Sequence, residues 1–155
     1  MAPKPIPEGY HTLSINLSVD DAAAAIGFYK RAFGAKERTR MDGPDNTIGH
    51  AELEVGDSLV MLADQMPQSA HRPPPELGGT SAGMFMYTED VDAVVQQAVD
   101  AGARVTMPVE NMFWGDRFGT VTDPFGHVWH IATHVEDVPP AEMEERAKAA
   151  MASMS

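Results

Sequence analysis

His50-Ala-Glu52 places an imidazole and a carboxylate two residues apart. In an extended segment such residues point to the same side, because strand side chains alternate with a period of two. His130 stands in a later apolar stretch and shares its face with Val128 and Ala132, while Trp129 and Ile131 take the other. If His50, Glu52 and His130 converge in one concavity they make a two-His-one-carboxylate set, which suits a divalent metal. If they do not converge, His50 and Glu52 read as a hydrogen-bonded polar pair lining a cavity. Burial that raises a carboxyl's pKa would also give Glu52, or His130, a general-base reading. A third group is Phe113-Trp114-Gly115-Asp116-Arg117. Here Trp114 offers a stacking face and Arg117 a fork for a carboxylate or phosphate. The competing reading has Asp116 and Arg117 pinning the loop by a salt bridge and Trp114 filling the core. Phe85-Met86-Tyr87 adds further aromatic surface, and Phe85 joins the candidate ligand-binding residues. His11, His71 and His134 fall near element ends or in a linker, where a solvated histidine is the ordinary case.

The elements that must position these residues occur twice. Leu13–Asp21 followed by Ala22–Ala35 reads as a strand, an acidic helix start, an amphipathic helix and a Gly-Ala stop; Gly83–Asp90 followed by Val91–Ala103 repeats the pattern. Apolar strand-like segments follow each copy, His50–Val55 and Ser58–Ala63 in the first, Arg117–Thr122 and His127–Thr133 in the second. A long period present only twice indicates a duplicated βαβββ module and not a solenoid. Helices are expected over Asp21–Phe33 and Val91–Ala101. Ala22, Ala25, Ile26, Tyr29 and Phe33 make one apolar stripe; Val91, Val94, Val95, Ala98 and Val99 make the other. Asp20 or Asp21, and Asp90, are placed to cap the first amides, and Gly34 and Gly102 to stop the helices. The expected class is α+β, two modules forming a curved mixed sheet around a cleft.

The modules span about residues 9–64 and 82–135, within one domain over 9–138. Between them, residues 65–81 contain Pro73-Pro74-Pro75, which predicts an extended linker without a helix. Met107–Asp116 reads as a loop. The tail, residues 139–155, opens with two prolines suited to a helix entrance and carries a stripe of Met143, Ala147, Ala150, Met151 and Met154.

Of 155 residues, 43% are hydrophobic and 22% charged, a globular balance. The net charge of −12 opposes binding to nucleic acid or an anionic membrane. No apolar run is long enough to span a bilayer, and the Pro-rich start does not resemble a secretory signal, so a cytoplasmic location is expected. The chain has no cysteine, which removes disulfides, zinc-thiolate sites and Cys nucleophiles. None of its serines sits in a Gly-x-Ser-x-Gly elbow, and phosphate-binding glycine motifs are absent, so no nucleotide cofactor is expected.

The doubled module, Val19-Asp-Asp with Phe28-Tyr29 and Phe33-Gly34-Ala35, and Asp123-Pro-Phe-Gly-His-Val-Trp129 together resemble the vicinal oxygen chelate superfamily of glyoxalases, bleomycin-resistance proteins and extradiol dioxygenases. Phe113–Gly119 with Ala132-Thr-His134 is similar to its PhnB-like branch. The resemblance implies four metal positions, one on the first and one on the last strand of each module. They fall on Ser14, Gly83, Met61 and His130, of which only His130 is a competent ligand. The expected function is therefore binding of a small organic molecule in the cleft between modules, through Trp114, Arg117, His50, Glu52, His130 and Phe85, with no cofactor and no metal. The alternative is a metal-dependent lyase, isomerase or dioxygenase using the rearranged set His50, Glu52 and His130; whether any reaction is catalysed is left open by the residues. Relatives build their cups at dimer interfaces, so a homodimer is expected.

Overall fold

The computed structural model describes residues 2–154, which divide into two compact units. The first comprises residues up to Ser81 together with Pro124–His127; the second comprises Ala82–Asp123 and the remainder from Val128. Each is built on a four-stranded mixed sheet with a helix on one face.

In the first unit the strands are β1 (Ile15–Val19), β2 (Lys36–Asp42), β3 (Ile48–Val55) and β4 (Ser58–Asp64), in the order β1-β4-β3-β2. β1 runs parallel to β4 and the other pairs are antiparallel. Helix α1 (Ala22–Phe33) begins where the Asp21 carboxylate accepts the Ala24 amide, and ends at Gly34, whose φ of 65° is left-handed. Its buried stripe includes Ala22, Ala25, Ile26 and Tyr29 as expected, with Phe28 and Ala32 beside them. It covers the strand residues whose side chains point its way, among them Leu17, Ala51, Leu53 and Leu62. Phe125, from the short segment that groups with this unit, packs edge-on against Phe28 and at a tilt against Tyr29.

The second unit repeats the scheme with β5 (Gly83–Tyr87), β6 (Arg104–Asn111), β7 (Asp116–Thr122) and β8 (Val128–His134), ordered β5-β8-β7-β6. Helix α3 (Val91–Ala101) is capped by Asp90 and buries Val91, Val95 and Ala98 against the sheet. The repeat extends to detail. Asp64 on β4 accepts the first amide of α1, from Ala22, and Thr133 on β8 accepts the first amide of α3, from Val91. Both residues thereby satisfy an orphan donor of a helix start.

Two expectations are corrected. The linker holds a single helical turn, α2 (Pro74–Leu77), because Pro73 stays extended as its N-cap while Pro74 and Pro75 occupy first-turn positions that need no amide proton. The first half of the segment read as a loop over Met107–Asp116 belongs to β6, whose ladder with β7 is interrupted by register shifts around Met107. Both β2 and β6 are edge strands, β2 exposed throughout and β6 nearly so; they lack the apolar alternation that would announce them. The tail forms α4 (Pro140–Ser153), entered through Pro139, with none of its residues buried. No described helix is long and apolar enough to cross a membrane.

Candidate functional site

Each sheet turns one face to its helix and leaves the other helix-free, and the residues expected to do chemistry fall mainly on the helix-free faces. In the first unit the register aligns Asn16, Met61, Glu52 and Thr39 across four strands. His50, one alternation from Glu52, contacts it at 3.2 Å between Nε2 and Oε1. Arg38 Nε lies 3.8 Å from Glu52 Oε2, and its guanidinium stands over the Tyr10 ring, 5.3 Å from the centroid. The Tyr10 hydroxyl is buried without a well-formed hydrogen bond, yet its nearness to Glu52, followed by that of His50 and Arg38, outweighs burial and holds the Glu52 carboxyl below the usual range. Burial and the same carboxylate push the Tyr10 phenol up. A general base near neutral pH is favoured by the opposite shift in its carboxyl, so the surroundings of Glu52 do not tune it for that role.

In the second unit the equivalent row is Phe85, His130, Thr120 and Met107. Phe118 stacks on His130 with centroids 5.7 Å apart and planes 17° apart, and Phe85 lies 5.7 Å from Phe118 and 6.1 Å from His130. Tyr87 sits 5.1 Å from Phe85, and Trp114 meets Phe118 edge-on at 5.6 Å. The five rings form one connected surface. It is reachable, since Phe85 is 50% and Tyr87 61% exposed.

A buried carboxylate holds the edge of that surface in place. Asp116, 2% exposed, accepts hydrogen bonds from Tyr87 Oη at 2.8 Å, from Trp114 Nε1 at 2.9 Å and from His134 Nδ1 at 2.8 Å. Burial alone would raise its pKa, but these three donors, His134 foremost, bring it below the usual carboxylate range. The hydrogen bond to Asp116 raises the Tyr87 phenol. His134 is raised by Asp116 first and by Asp137 second, whose carboxylate lies 2.7 Å from Nε2. A shallow depression of about 570 Å³ beside this cluster is lined by Tyr87, Thr88, Glu89, Thr133 and His134.

The Trp114 loop is strapped from behind. Arg146 of α4 donates to the Phe113 carbonyl and pairs with Glu136 and Glu142. Gly115 has a φ of 102°, and a Cβ there would collide with the Glu136 carbonyl, so glycine is required.

Arg117 points the other way. Alternation along β7 puts it on the helix side, where it grips Asp92 of α3 at 2.6 and 2.9 Å and reaches Asn111. Its fork is engaged, and with Asp92, not with Asp116. Nothing in the sequence marks the Asp116 cluster beyond alternation itself: Asp116 and Phe118, two residues apart, share one face of their strand, as do His130 and His134, four apart. His134, read as solvated, is a member of that cluster.

The model for the Glyoxalase/Bleomycin resistance protein/Dioxygenase superfamily matches residues 11–131. The chain belongs to that superfamily. It is 44% identical over 135 residues to the protein Rv0887c of Mycobacterium tuberculosis, covering 85% of this chain and 79% of that one. The structure of the At5g48480 gene product of Arabidopsis thaliana is similar, with 30% identity, a TM-score of 0.64, and coverage of 79% of this chain and 98% of the other. A PhnB protein from Bacillus cereus shares the fold at a TM-score of 0.61 and 17% identity, over 79% of this chain and 97% of that one.

The sequence signature of the superfamily is structural in this member. Asp123 accepts the buried Trp129 indole N–H at 2.9 Å, Phe125 packs on α1, and His127 Nε2 bonds the Ser18 carbonyl at 2.8 Å. The metal positions do not fit a metal. Ser14 lies just before β1, Met61 presents a thioether, Gly83 presents no side chain, and only His130 offers imidazole nitrogen. A Cβ added at Gly83 would fall 3.0 Å from His130 Nε2, so the imidazole occupies the space a ligating side chain there would need. His50 and Glu52 belong to the first unit and His130 to the second. Among the described residues no three His, Asp or Glu side chains gather in a group able to hold an ion.

Proposed function

We propose that this superfamily member binds a small, planar organic molecule on the helix-free face of its second sheet, without the divalent ion of the metal-dependent enzymes. The observation that carries this reading is the connected ring surface of Phe85, Tyr87, Trp114, Phe118 and His130, whose outer members are half exposed. Offset and edge-on ring contacts of this kind suit a flat ligand, each worth about 0.5–1.5 kcal/mol beyond area burial. The donor chemistry at Ser14, Met61 and Gly83 supports a metal-free site. Of the candidate ligand residues, Phe85, Trp114 and His130 carry the binding; His50 and Glu52 form a separate polar pair, and Arg117 braces β7 on α3.

Calorimetric titration with naphthalene tests the reading. Trp114→Ala and Phe85→Ala should each weaken binding by about 1–3 kcal/mol, the scale of losing an aromatic anchor. Arg117→Ala should leave affinity unchanged. Unchanged affinity in both aromatic variants would overturn the assignment.

A further inference from the structure

We propose that Thr120 holds His130 in the tautomer that carries its proton on Nε2, and that this N–H selects ligands bearing a hydrogen-bond acceptor in the plane of an aromatic ring system, such as a ring nitrogen or a ring carbonyl. The inference rests on the reading of this face as a ligand platform and adds the chemistry of its ligand.

Thr120 is 6% exposed, and its hydroxyl has one protein partner among the described residues, His130 Nδ1 at 3.0 Å. A hydroxyl carries one proton, and a buried donor left without an acceptor is costly. Were Nδ1 protonated and donating to Oγ1, the Thr120 proton would have no acceptor. Donation from Thr120 to Nδ1 satisfies both atoms. A neutral imidazole with Nδ1 accepting has its proton on Nε2.

Among the described residues that Nε2–H has no protein acceptor within hydrogen-bond reach, and it is not among the buried polar atoms. Gly83 leaves it room, since a Cβ at that position would crowd it at 3.0 Å. The ring cannot turn freely, being stacked on Phe118 and flanked by Phe85. The other polar atoms carried by rings of this surface, Tyr87 Oη and Trp114 Nε1, already donate to Asp116. His130 thus contributes a single fixed donor to an otherwise apolar wall. A flat hydrocarbon laid over it would bury the N–H unpaired, whereas a ligand with an acceptor at its edge would satisfy it.

Two measurements on the full chain test this. Two-bond 1H–15N correlation at about pH 8, above the usual histidine range, should show His130 with unprotonated Nδ1 and protonated Nε2; the reverse pattern would overturn the proposal. In Thr120→Val the signals should move toward a tautomer mixture. Titration with the isosteric pair quinoline and naphthalene should give roughly 3–10-fold tighter binding of quinoline, the scale of one net hydrogen bond. The preference of quinoline over naphthalene should vanish in His130→Phe, whatever the absolute affinities become. Equal affinity for the two probes, or a preference that survives His130→Phe, would overturn the acceptor selection and leave the platform standing. Failure of both probes to bind would overturn the platform and the selection together.

Discussion

The two units place the same skeleton under opposite chemistry. With the spacing that separates Asp21 from Asp90, Leu62 corresponds to Ile131, Met61 to His130 and Asn16 to Phe85. On the helix side the correspondence preserves character: Leu62 and Ile131 are both fully buried aliphatics, and Asp64 and Thr133 both receive the first helix amide. On the helix-free side it does not. The first unit has a polar cluster of His50, Glu52 and Arg38 beside Tyr10, and the second a sheet of aromatic rings held by one buried carboxylate. Packing against a helix tolerates only apolar residues of suitable volume. The other face is free of that demand, so it is where two copies of one module can diverge into different sites.

The largest expected effect breaks this comparison if it fails. Leu62→Ala and Ile131→Ala should each cost about 2–5 kcal/mol of unfolding free energy, as core truncations do. Met61→Ala and Phe85→Ala, one alternation or one strand away on the helix-free faces, should cost about 1 kcal/mol or less. Denaturant unfolding of the four variants measures the contrast, and equal costs would show that the faces are not energetically distinct.

A smaller effect sharpens it within the second unit. Asp116→Ala removes the acceptor shared by Tyr87, Trp114 and His134, and should cost about 1.5–3 kcal/mol, the range for hydrogen bonds to a charged group. Trp114 emission should shift to the red as its indole loses its partner. The same cluster fixes a pH dependence with two signs. His134 has a raised folded pKa, so its contribution is complete below the ordinary histidine value of about 6.5 and is lost as pH rises through the raised value. Asp116 has a lowered folded pKa, so its contribution is present above the ordinary carboxylate value and is lost as pH falls through the lowered one. Thermal melts across pH should show His134→Gln removing the alkaline decline and weakening the acid one, since Asp116 loses the charge of its foremost partner while Tyr87 and Trp114 remain.

The smallest expected effect concerns metal. Nickel, zinc or manganese should shift the melting temperature by less than about 1 °C, because stabilisation requires binding to the native state at the concentration used. One ion per purified chain, lost on His130→Ala, would reverse the conclusion drawn from Ser14, Met61 and Gly83.

Much of the architecture was legible because helix-side residues obey strict periodicity. The stripes of α1 and α3, the caps at Asp21 and Asp90 and the strands β1, β3, β4, β5, β7 and β8 all carry apolar alternation or end signals. The edge strands β2 and β6 carry neither, since both their faces are largely exposed. The site was half legible. Phe85, Trp114 and His130 stand out by type, and the structure gathers them. Arg117 stands beside them in sequence but points to α3, and the Asp116 cluster joins residues from β5, β7 and β8 whose pairing depends on register. Local sequence does not encode register between strands so far apart.

The most direct measurement is chemical-shift mapping of the labelled chain during titration with naphthalene. Perturbations concentrated at Phe85, Trp114, Phe118 and His130, with His50, Glu52 and Met61 unmoved, are the expected result. Perturbations centred on His50 and Glu52, or none at the aromatic face at saturating probe, would contradict the assignment of ligand binding to the second unit.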